Sequence, residues 1–404
     1  MRRYWISIVL SVFIVVGLGT YYVYGAVVRF PEYKISKVSG DVNEGTKIVV
    51  QGGFLEGGRY QSIFATAEGS DYPIRSNLFT QMFWGTGSGM TEQTDIRQII
   101  KDHRSFMRGK GKISNFYKDD KWIIYADAVV HITYNAKTEI VLSIDLLNKT
   151  TGVVKHYETK VDDSTNYSQT FIEDVQLNGE QIHLLISQRS TGIINGSEGE
   201  YRDYAININS GAITNNGRIA FGDTTKDYVE LFDRSIMNSI VSSPSDYAIL
   251  SVTDQQPRVN EYMDEHFYSY AYKTGELTDL SETLMKAGID DIGNLSLDGN
   301  VLSILIYEEE FIKLTRYNLD TGSLANKVIS LTAKQLDADQ IVMGITKNNR
   351  LYILSHKNDI PKVAVLDETN GAIRYTGEIV YDGKPLGTNW TMSNVERIYM
   401  EIAE

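Results

Sequence analysis

The chain of 404 residues contains no cysteine. That excludes disulfides, thiol nucleophiles, thiolate metal sites and a lipid-modified cysteine, so stability must come from the apolar core. A chain of this length can build one. Proline is scarce, with 6 residues, and so is histidine, also with 6. The histidines are His103, His131, His156, His183, His266 and His356, no two closer than 25 residues, so no H-E-x-x-H or similar metal pair exists. His131 and His183 fall in strand-like runs and read as core or sheet-face residues. Positive charge is short as well: 39 Lys and Arg stand against 52 Asp and Glu, a net charge of −13. Nucleic acid is therefore not an expected partner, because phosphate neutralisation needs clustered cations. No G-x-S-x-G elbow and no Walker lysine motif occurs. Acidic pairs such as Asp162-Asp163 and Asp290-Asp291 lack the order of a calcium loop and read as turns. The sequence thus points to no catalytic residue, no metal and no cofactor.

What is present begins at the N-terminus, "MRRYWISIVLSVFIVVGLGTYYVYGAVVRF". After Arg2 and Arg3 the chain is uncharged from Tyr4 to Val28. About 20 apolar residues cross a bilayer, and Trp5, Tyr21, Tyr22 and Tyr24 stand where interfacial aromatics would. The expectation is a single transmembrane helix within residues 1–32, contacting the membrane through residues 4–28, with a cytoplasmic N-terminus and an extracytoplasmic domain over 33–404. A cleaved signal peptide is the rival reading; its apolar region would be unusually long.

The remainder is rich in tyrosine, 26 residues, and carries a repeat. "RYNLDTGSLANKVISL" places a glycine turn between two alternating apolar runs, and the pattern recurs around Gly152, Gly211, Gly275, Gly322 and Gly371. Their spacings, by subtraction, are 59, 64, 47 and 49 residues. Before each glycine lies another polar turn between strand-like runs, as in "YKDDKWIIYA" and "SLDGNVLSILIY". Four strands per tandem unit is the mark of propeller blades. The predicted fold is all-β: a β-propeller of six, alternatively seven, four-stranded blades. Five blades are visible at about 113–161, 171–221, 240–284, 291–331 and 341–381, and residues 33–80 with 383–404 are expected to close the ring.

The turns "YNLDTGSL", "AYKTGEL" and "LDETNGAI" resemble those of quinoprotein-like and related bacterial extracytoplasmic propellers. The resemblance covers roughly 113–381 and implies a fold rather than an activity. This chain departs from the quinoprotein pattern, because none of Trp5, Trp84, Trp122 and Trp390 follows a repeat glycine.

Two regions stand out as sites. Loop length varies most between the second and third strands, and such insertions gather on one face of a ring. The longest stretches, Ser187–Asp203 and Asp254–His266, offer Arg189, Arg202, Arg258, Glu261, Tyr262, Asp264 and His266 for a polar or anionic ligand. The second region follows a Gly-rich loop and a helical pattern bearing Ile96, Ile99, Ile100 and His103 on one face. There Lys101, Arg104, Arg108, Lys110 and Lys112 form a basic cluster suited to anionic lipid or wall polymer, or simply to solvent. A phosphate at that helix N-terminus is conceivable, but the loop lacks the lysine and βαβ setting, and a connector is the simpler reading. The functional expectation is a membrane-anchored extracytoplasmic binding or sensory module, with a membrane-protein partner or a cell-surface ligand. The alternatives are an assembly scaffold for a membrane complex, or a hydrolase or lyase using Glu261, Asp264 and His266.

Overall fold

The computed structural model describes residues 5–27, 32–56, 59–72, 94–112, 115–132, 138–161, 167–190, 199–221, 228–230, 241–253, 265–286, 295–325, 329–358, 360–381, 384–385 and 399–402. Among them are six antiparallel sheets, five of which are built around strands consecutive in the chain. We number them as blades in chain order. Blade 2 comprises Phe116–Lys118, Trp122–Ile132, Thr138–Asn148 and Val154–Val161. Blade 3 follows with Tyr167–Asn178, Gln181–Ser190, Gly199–Asn207 and Ile213–Ile219, and blade 4 with Tyr228–Glu230, Tyr247–Thr253, Glu265–Ala271 and Glu276–Asp279. Blade 5 contains Leu295–Asp298, Val301–Glu308 and Phe311–Asn318, its fourth position split between Ser323–Leu324 and Ile329–Thr332. Blade 6 contains Gln340–Lys347, Arg350–Lys357, Ile360–Asp367 and Ile373–Tyr381. Blade 1 joins distant parts of the chain: Tyr399–Ile402 pairs with Ile48–Glu56, which continues into Arg59–Ala65 and Ser70–Asp71.

Burial parity shows why the sheets adhere. Side chains alternate between the two faces of a strand. In Gln181–Ser190, Ile182, Leu184 and Ile186 pack into a cluster with blade 2, while Leu185 packs into a cluster with blade 4. Equivalent apolar clusters join blades 4 and 5, 5 and 6, and 6 and 1. Five of the six junctions of a closed ring are thus direct sheet-on-sheet contacts. The sixth, between blades 1 and 2, is bridged by the helix Thr94–Asp102. Ile96 and Ile99 of this helix are buried among blade 2 residues such as Phe116 and Tyr125. On its other side Arg97 lies 3.7 Å over the Phe64 ring of blade 1 and pairs with Asp71 at 3.3 Å. The result is the cyclic neighbour pattern of a β-propeller.

Tyr33–Gly40 is not part of blade 1. It pairs with Ile373–Tyr381 as an additional outer strand of blade 6, which covers an edge that would otherwise be open. Blade 6 is therefore wider than the repeat alone requires.

The five repeat glycines are geometrically equivalent. Their φ values are 70°, 72°, 70°, 64° and 72° for Gly152, Gly211, Gly275, Gly322 and Gly371. Each donates its N–H to the carbonyl four residues earlier at 2.8–2.9 Å. In every blade from 2 to 6 a backbone bond also ties this turn to the first turn of the same blade, from Lys149 N to Lys121 O through Glu368 N to Asn349 O. The two short turns therefore share one face of the ring.

Residues Trp5–Val27 form one uncharged helix of 23 residues. Most of its described side chains, Val12, Phe13, Ile14, Val15 and Val16 among them, are exposed. Among the described residues no helix is long and apolar enough to cross a membrane, so the transmembrane expectation for this segment is not carried by the structure.

Valine at a repeat glycine would have to hold a left-handed backbone. Gly322→Val and Gly371→Val are each expected to lower stability by about 1–3 kcal/mol in denaturant unfolding. At Gly371 a Cβ would in addition stand 3.3 Å from Ile329. Melting curves that overlay the parent would show that these turns do not constrain the fold.

Candidate functional site: a lysine-bearing axial cleft

Only the axis of a ring can be reached from most of its blades at once. A cleft of about 530 Å³ is lined from blades 1, 2, 4, 5 and 6, and so lies on that axis. Its wall residues occupy matching positions. Lys118, Asp298 and Lys347 are the last residues of the first strands of blades 2, 5 and 6. Asp119, Lys149 and Asn348 come from the adjoining short turns, and Lys47 immediately precedes the first long strand of blade 1. The cleft opens on the short-turn face, not among the long loops.

Its inner wall is a strap, Val241–Ser245, that runs beside the axis between the first and second strands of blade 4. Ser242 makes a parallel bridge to Tyr117, with Ser242 N to Phe116 O at 2.8 Å and Lys118 N to Ser242 O at 3.0 Å. On its other side Ser242 Oγ donates to Asp174 of blade 3 at 2.8 Å, and Ser245 N donates to Gln176 Oε1 at 3.0 Å. The strap joins blades 2, 3 and 4 through hydrogen bonds, and its Val241 is buried in the apolar cluster of blade 2.

The charges in the cleft are not equally available. Asp119 Oδ1 accepts from the backbone N–H of Lys121 and Trp122, and its Oδ2 accepts from the Tyr117 hydroxyl at 3.0 Å. Asp298 accepts from the Asn348 N–H at 3.0 Å. These carboxylates shape turns. Among the cations, Lys149 reaches the Asp119 carbonyl at 2.8 Å, and Lys347 reaches the Ile402 carbonyl at 3.2 Å. A carbonyl acceptor leaves the Lys149 ammonium two further donors and its full charge, whereas Lys347 also pairs with the Asp95 carboxylate at 3.8 Å. Lys47 is exposed and has no hydrogen-bond or ion-pair partner among the described residues.

Another polar region lies where blades 3 and 4 meet. Asp174, Gln176, His183 and Asp203 are all buried there, within a junction otherwise made of Leu185, Tyr201, Leu250 and their neighbours. Asp203 accepts from Asn216 Nδ2 at 2.8 Å, His183 Nδ1 at 3.0 Å and the Tyr270 hydroxyl at 3.1 Å. The Tyr272 hydroxyl donates to Asp174 at 2.5 Å. Burial, and then the charge of Asp203, raises the Tyr270 phenol above its usual range and keeps it a donor.

The residues singled out in the sequence are scattered by comparison. Arg258, Glu261, Tyr262 and Asp264 lie outside the described residues. His266 is exposed in the strand Glu265–Ala271, opposite Val252. Strands extend further than the sequence suggested, to Ser190 and from Gly199, so the long blade 3 insertion shrinks to 191–198. Arg189 sits in the strand opposite Gly199. Arg202 is mostly buried and donates through Nε to Glu200.

In the basic cluster, Lys101, Arg104 and Arg108 are exposed, whereas Lys110 is buried against Asp145 at 2.6 Å and over the Phe106 ring at 4.3 Å. Burial would raise the pKa of Asp145; hydrogen bonds from Lys110 and His156 reverse this and hold it below the usual carboxylate value. Lys112 pairs with Asp127 at 2.7 Å. Lys110 is therefore a framework residue, whereas Lys112 is an exposed lysine paired with Asp127.

The N-terminus of the helix Thr94–Asp102 is occupied from within the chain. Glu401, from the C-terminal strand of blade 1, accepts from Thr94 N at 2.9 Å and from the Thr94 hydroxyl. A carboxyl oxygen of the chain itself thus stands at this helix end, where the sequence allowed a phosphate. The sequence could not reveal the axial lysines, since they are separated by up to 300 residues, from Lys47 to Lys347.

No protein-family model and no curated protein matches this chain. Solved structures do match. The β-propeller domain of the trilobed protease from Pyrococcus furiosus, described as having an open velcro topology, is 10% identical with a TM-score of 0.32, over 86% of this chain and 85% of that one. A Synechocystis apocarotenoid oxygenase is 8% identical with a TM-score of 0.45, over 93% and 97% of the two chains. An uncharacterised Listeria monocytogenes protein is 11% identical with a TM-score of 0.32, over 66% and 67%. Likeness at this level concerns fold alone; the sheets and their junctions carry the propeller assignment.

Glu401 gives a pH prediction. Burial raises its pKa above the ordinary 4.5, and its Oε1 has no partner among the described residues. The folded protein then holds this proton to higher pH than the unfolded chain does. Its contribution to stability is fully present below about pH 4.5 and declines as pH rises through the raised pKa. Glu401→Gln, which keeps an acceptor for Thr94, is expected to flatten the fall in melting temperature above pH 4.5. An unchanged slope would remove Glu401 as its source.

Proposed function

We propose that this chain is a ligand-binding module, not an enzyme, and that the axial cleft takes a small anionic ligand such as a carboxylate or phosphate ester. One observation carries this reading: Lys47, Lys118, Lys149 and Lys347 meet at the axis of a protein whose net charge is −13, against three aspartates on the same lining, of which Asp119 and Asp298 already accept backbone N–H groups of turns. The volume of about 530 Å³ falls within the range of small-molecule sites. Cations held on short turns of a rigid ring present donors to a ligand with little ordering still to be done.

The module works at a membrane surface, outside the cytoplasm. The uncharged run from Tyr4 to Val28 behind Arg2 and Arg3 supports an anchor with its N-terminus inside. The exposed apolar side chains of the helix Trp5–Val27 support it too, since that much apolar surface calls for a cover. The quinoprotein-type resemblance extends no further than the fold, and no quinone is part of this proposal.

Calorimetric titration of the domain with citrate and with pyrophosphate tests the cleft. Saturable binding that weakens as salt rises is expected. Lys47→Ala and Lys118→Ala should each weaken it by about 10-fold or more, since a charge-assisted hydrogen bond contributes roughly 1.5–3 kcal/mol. The Lys47→Ala protein should melt like the parent, because an exposed unpaired lysine adds little to folding. Binding indifferent to both substitutions would refute the site.

For the anchor, the full chain is expected to stay with membranes after alkaline carbonate washing, and a chain lacking residues 1–31 to be released. Protease added to intact cells should digest the large domain. Complete protection would overturn the orientation.

A further inference from the structure

The junction of blades 3 and 4 differs from the other direct junctions in what it buries. Every direct junction has an apolar cluster, and that of blades 5 and 6 also buries Glu368 against Ser303 and Arg316, but here two carboxylates, a histidine and a glutamine are withdrawn from water together. Burying such groups is unfavourable unless each is matched, and apolar residues would hold the blades together as well or better. A second cavity, of about 480 Å³, opens beside this polar set between the same two blades. It is separate from the axial cleft and shares no lining residue with it.

Chemistry at its wall follows from the hydrogen bonds. Asp203 offers only acceptors, so His183 Nδ1, 3.0 Å away, carries the proton. In neutral His183 the other nitrogen, Nε2, is then the acceptor, and its tautomer is fixed by the carboxylate behind it. Asn216 spends its amide N–H₂ on the same carboxylate at 2.8 Å, which leaves its carbonyl oxygen as an acceptor. Gln181 adds a further amide, and the rings of Tyr270 and Tyr272, 5.6 Å apart and edge to face, contribute aromatic wall. Lys273 is the one lysine or arginine on the lining, and no aspartate or glutamate is part of it.

We infer that this cavity binds a small neutral polyhydroxylated molecule, a sugar or related polyol. Its hydroxyls would donate to His183 and to the amide oxygens, accept from the amide N–H groups, and set their C–H faces against tyrosine. A ligand of that kind needs paired donors and acceptors and little net charge, which is the balance the wall supplies. The site is independent of the anion reading of the axis.

Saturation-transfer NMR with glucose, N-acetylglucosamine and maltose, and with citrate as the charged comparator, tests it on the folded domain. Transfer to at least one sugar is expected, with citrate giving none that depends on this cavity. Two variants separate binding from folding. His183→Gln removes the oriented imidazole. Thr274→Trp, at an exposed turn position on the cavity lining, fills the opening without touching the buried network. Both should abolish transfer, and Thr274→Trp should melt like the parent. Lys47→Ala should leave the sugar signal unchanged. No transfer to any of the three sugars, transfer that survives Thr274→Trp, or citrate lost with Thr274→Trp would each overturn the inference.

Discussion

A four-stranded sheet has two faces, and in this protein both must be covered by neighbouring sheets. That requirement organises the molecule. Blades 2 to 6 follow one another along the chain, and neighbouring positions of one strand serve the clusters on its two faces, as Leu184 and Leu185 do in blade 3. A linear array would leave its first and last sheets uncovered. The chain closes the array by bringing Tyr399–Ile402 to Ile48–Gln51, so blade 1 joins a C-terminal strand to strands that precede blade 2 in the chain. The last gap is filled by a helix, whose apolar stripe meets blade 2 while Arg97 meets blade 1. With no cysteine to staple the ring, these junctions and the strand pairing in blade 1 hold it closed.

Closure also creates the places where chemistry can occur. Strand ends from different blades converge at the axis, so residues far apart in sequence become neighbours there without any one blade forming a pocket. The strap Val241–Ser245 lies against these strand ends and is held by Asp174 and Gln176 on one side and by Phe116 and Lys118 on the other. It accounts for part of the polar burial in blade 3: Asp174 and Gln176 have work to do in fixing an irregular segment. Asp203 and His183 have no such structural client. Their partners, Asn216 and Tyr270, face a cavity, and this contrast separates a framework network from one that can serve a ligand.

Electrostatics divides in the same way. Lys110 and Lys112 resemble a basic surface patch when read along the chain, yet strands of blade 2 place Asp145 and Asp127 against them. Lys47, Lys118, Lys149 and Lys347 look like unrelated turn residues and form the lysine set of the axis. Proximity in sequence says little about charge clustering when every residue of a strand is separated from its spatial neighbour by a whole hairpin or a whole blade.

The strand–turn–strand rhythm was legible in the sequence because its causes are local. Alternating apolar residues specify a sheet with two buried faces, and glycine at Gly152, Gly211, Gly275, Gly322 and Gly371 answers a positive φ that most residues avoid. The helix over residues 94–102 was legible for the same reason, through the spacing of Ile96 and Ile99. Strand ends at Ser190 and Gly199 were not, since polar residues there are held in the ladder by their neighbours and not by their own propensity. Tertiary structure alone decided that Tyr33–Gly40 would extend blade 6, because an edge strand is chosen by which partner offers an unpaired ladder. It alone decided the two cavities as well: sequence sets which residues alternate within a blade, but the ring determines which of them meet across blades.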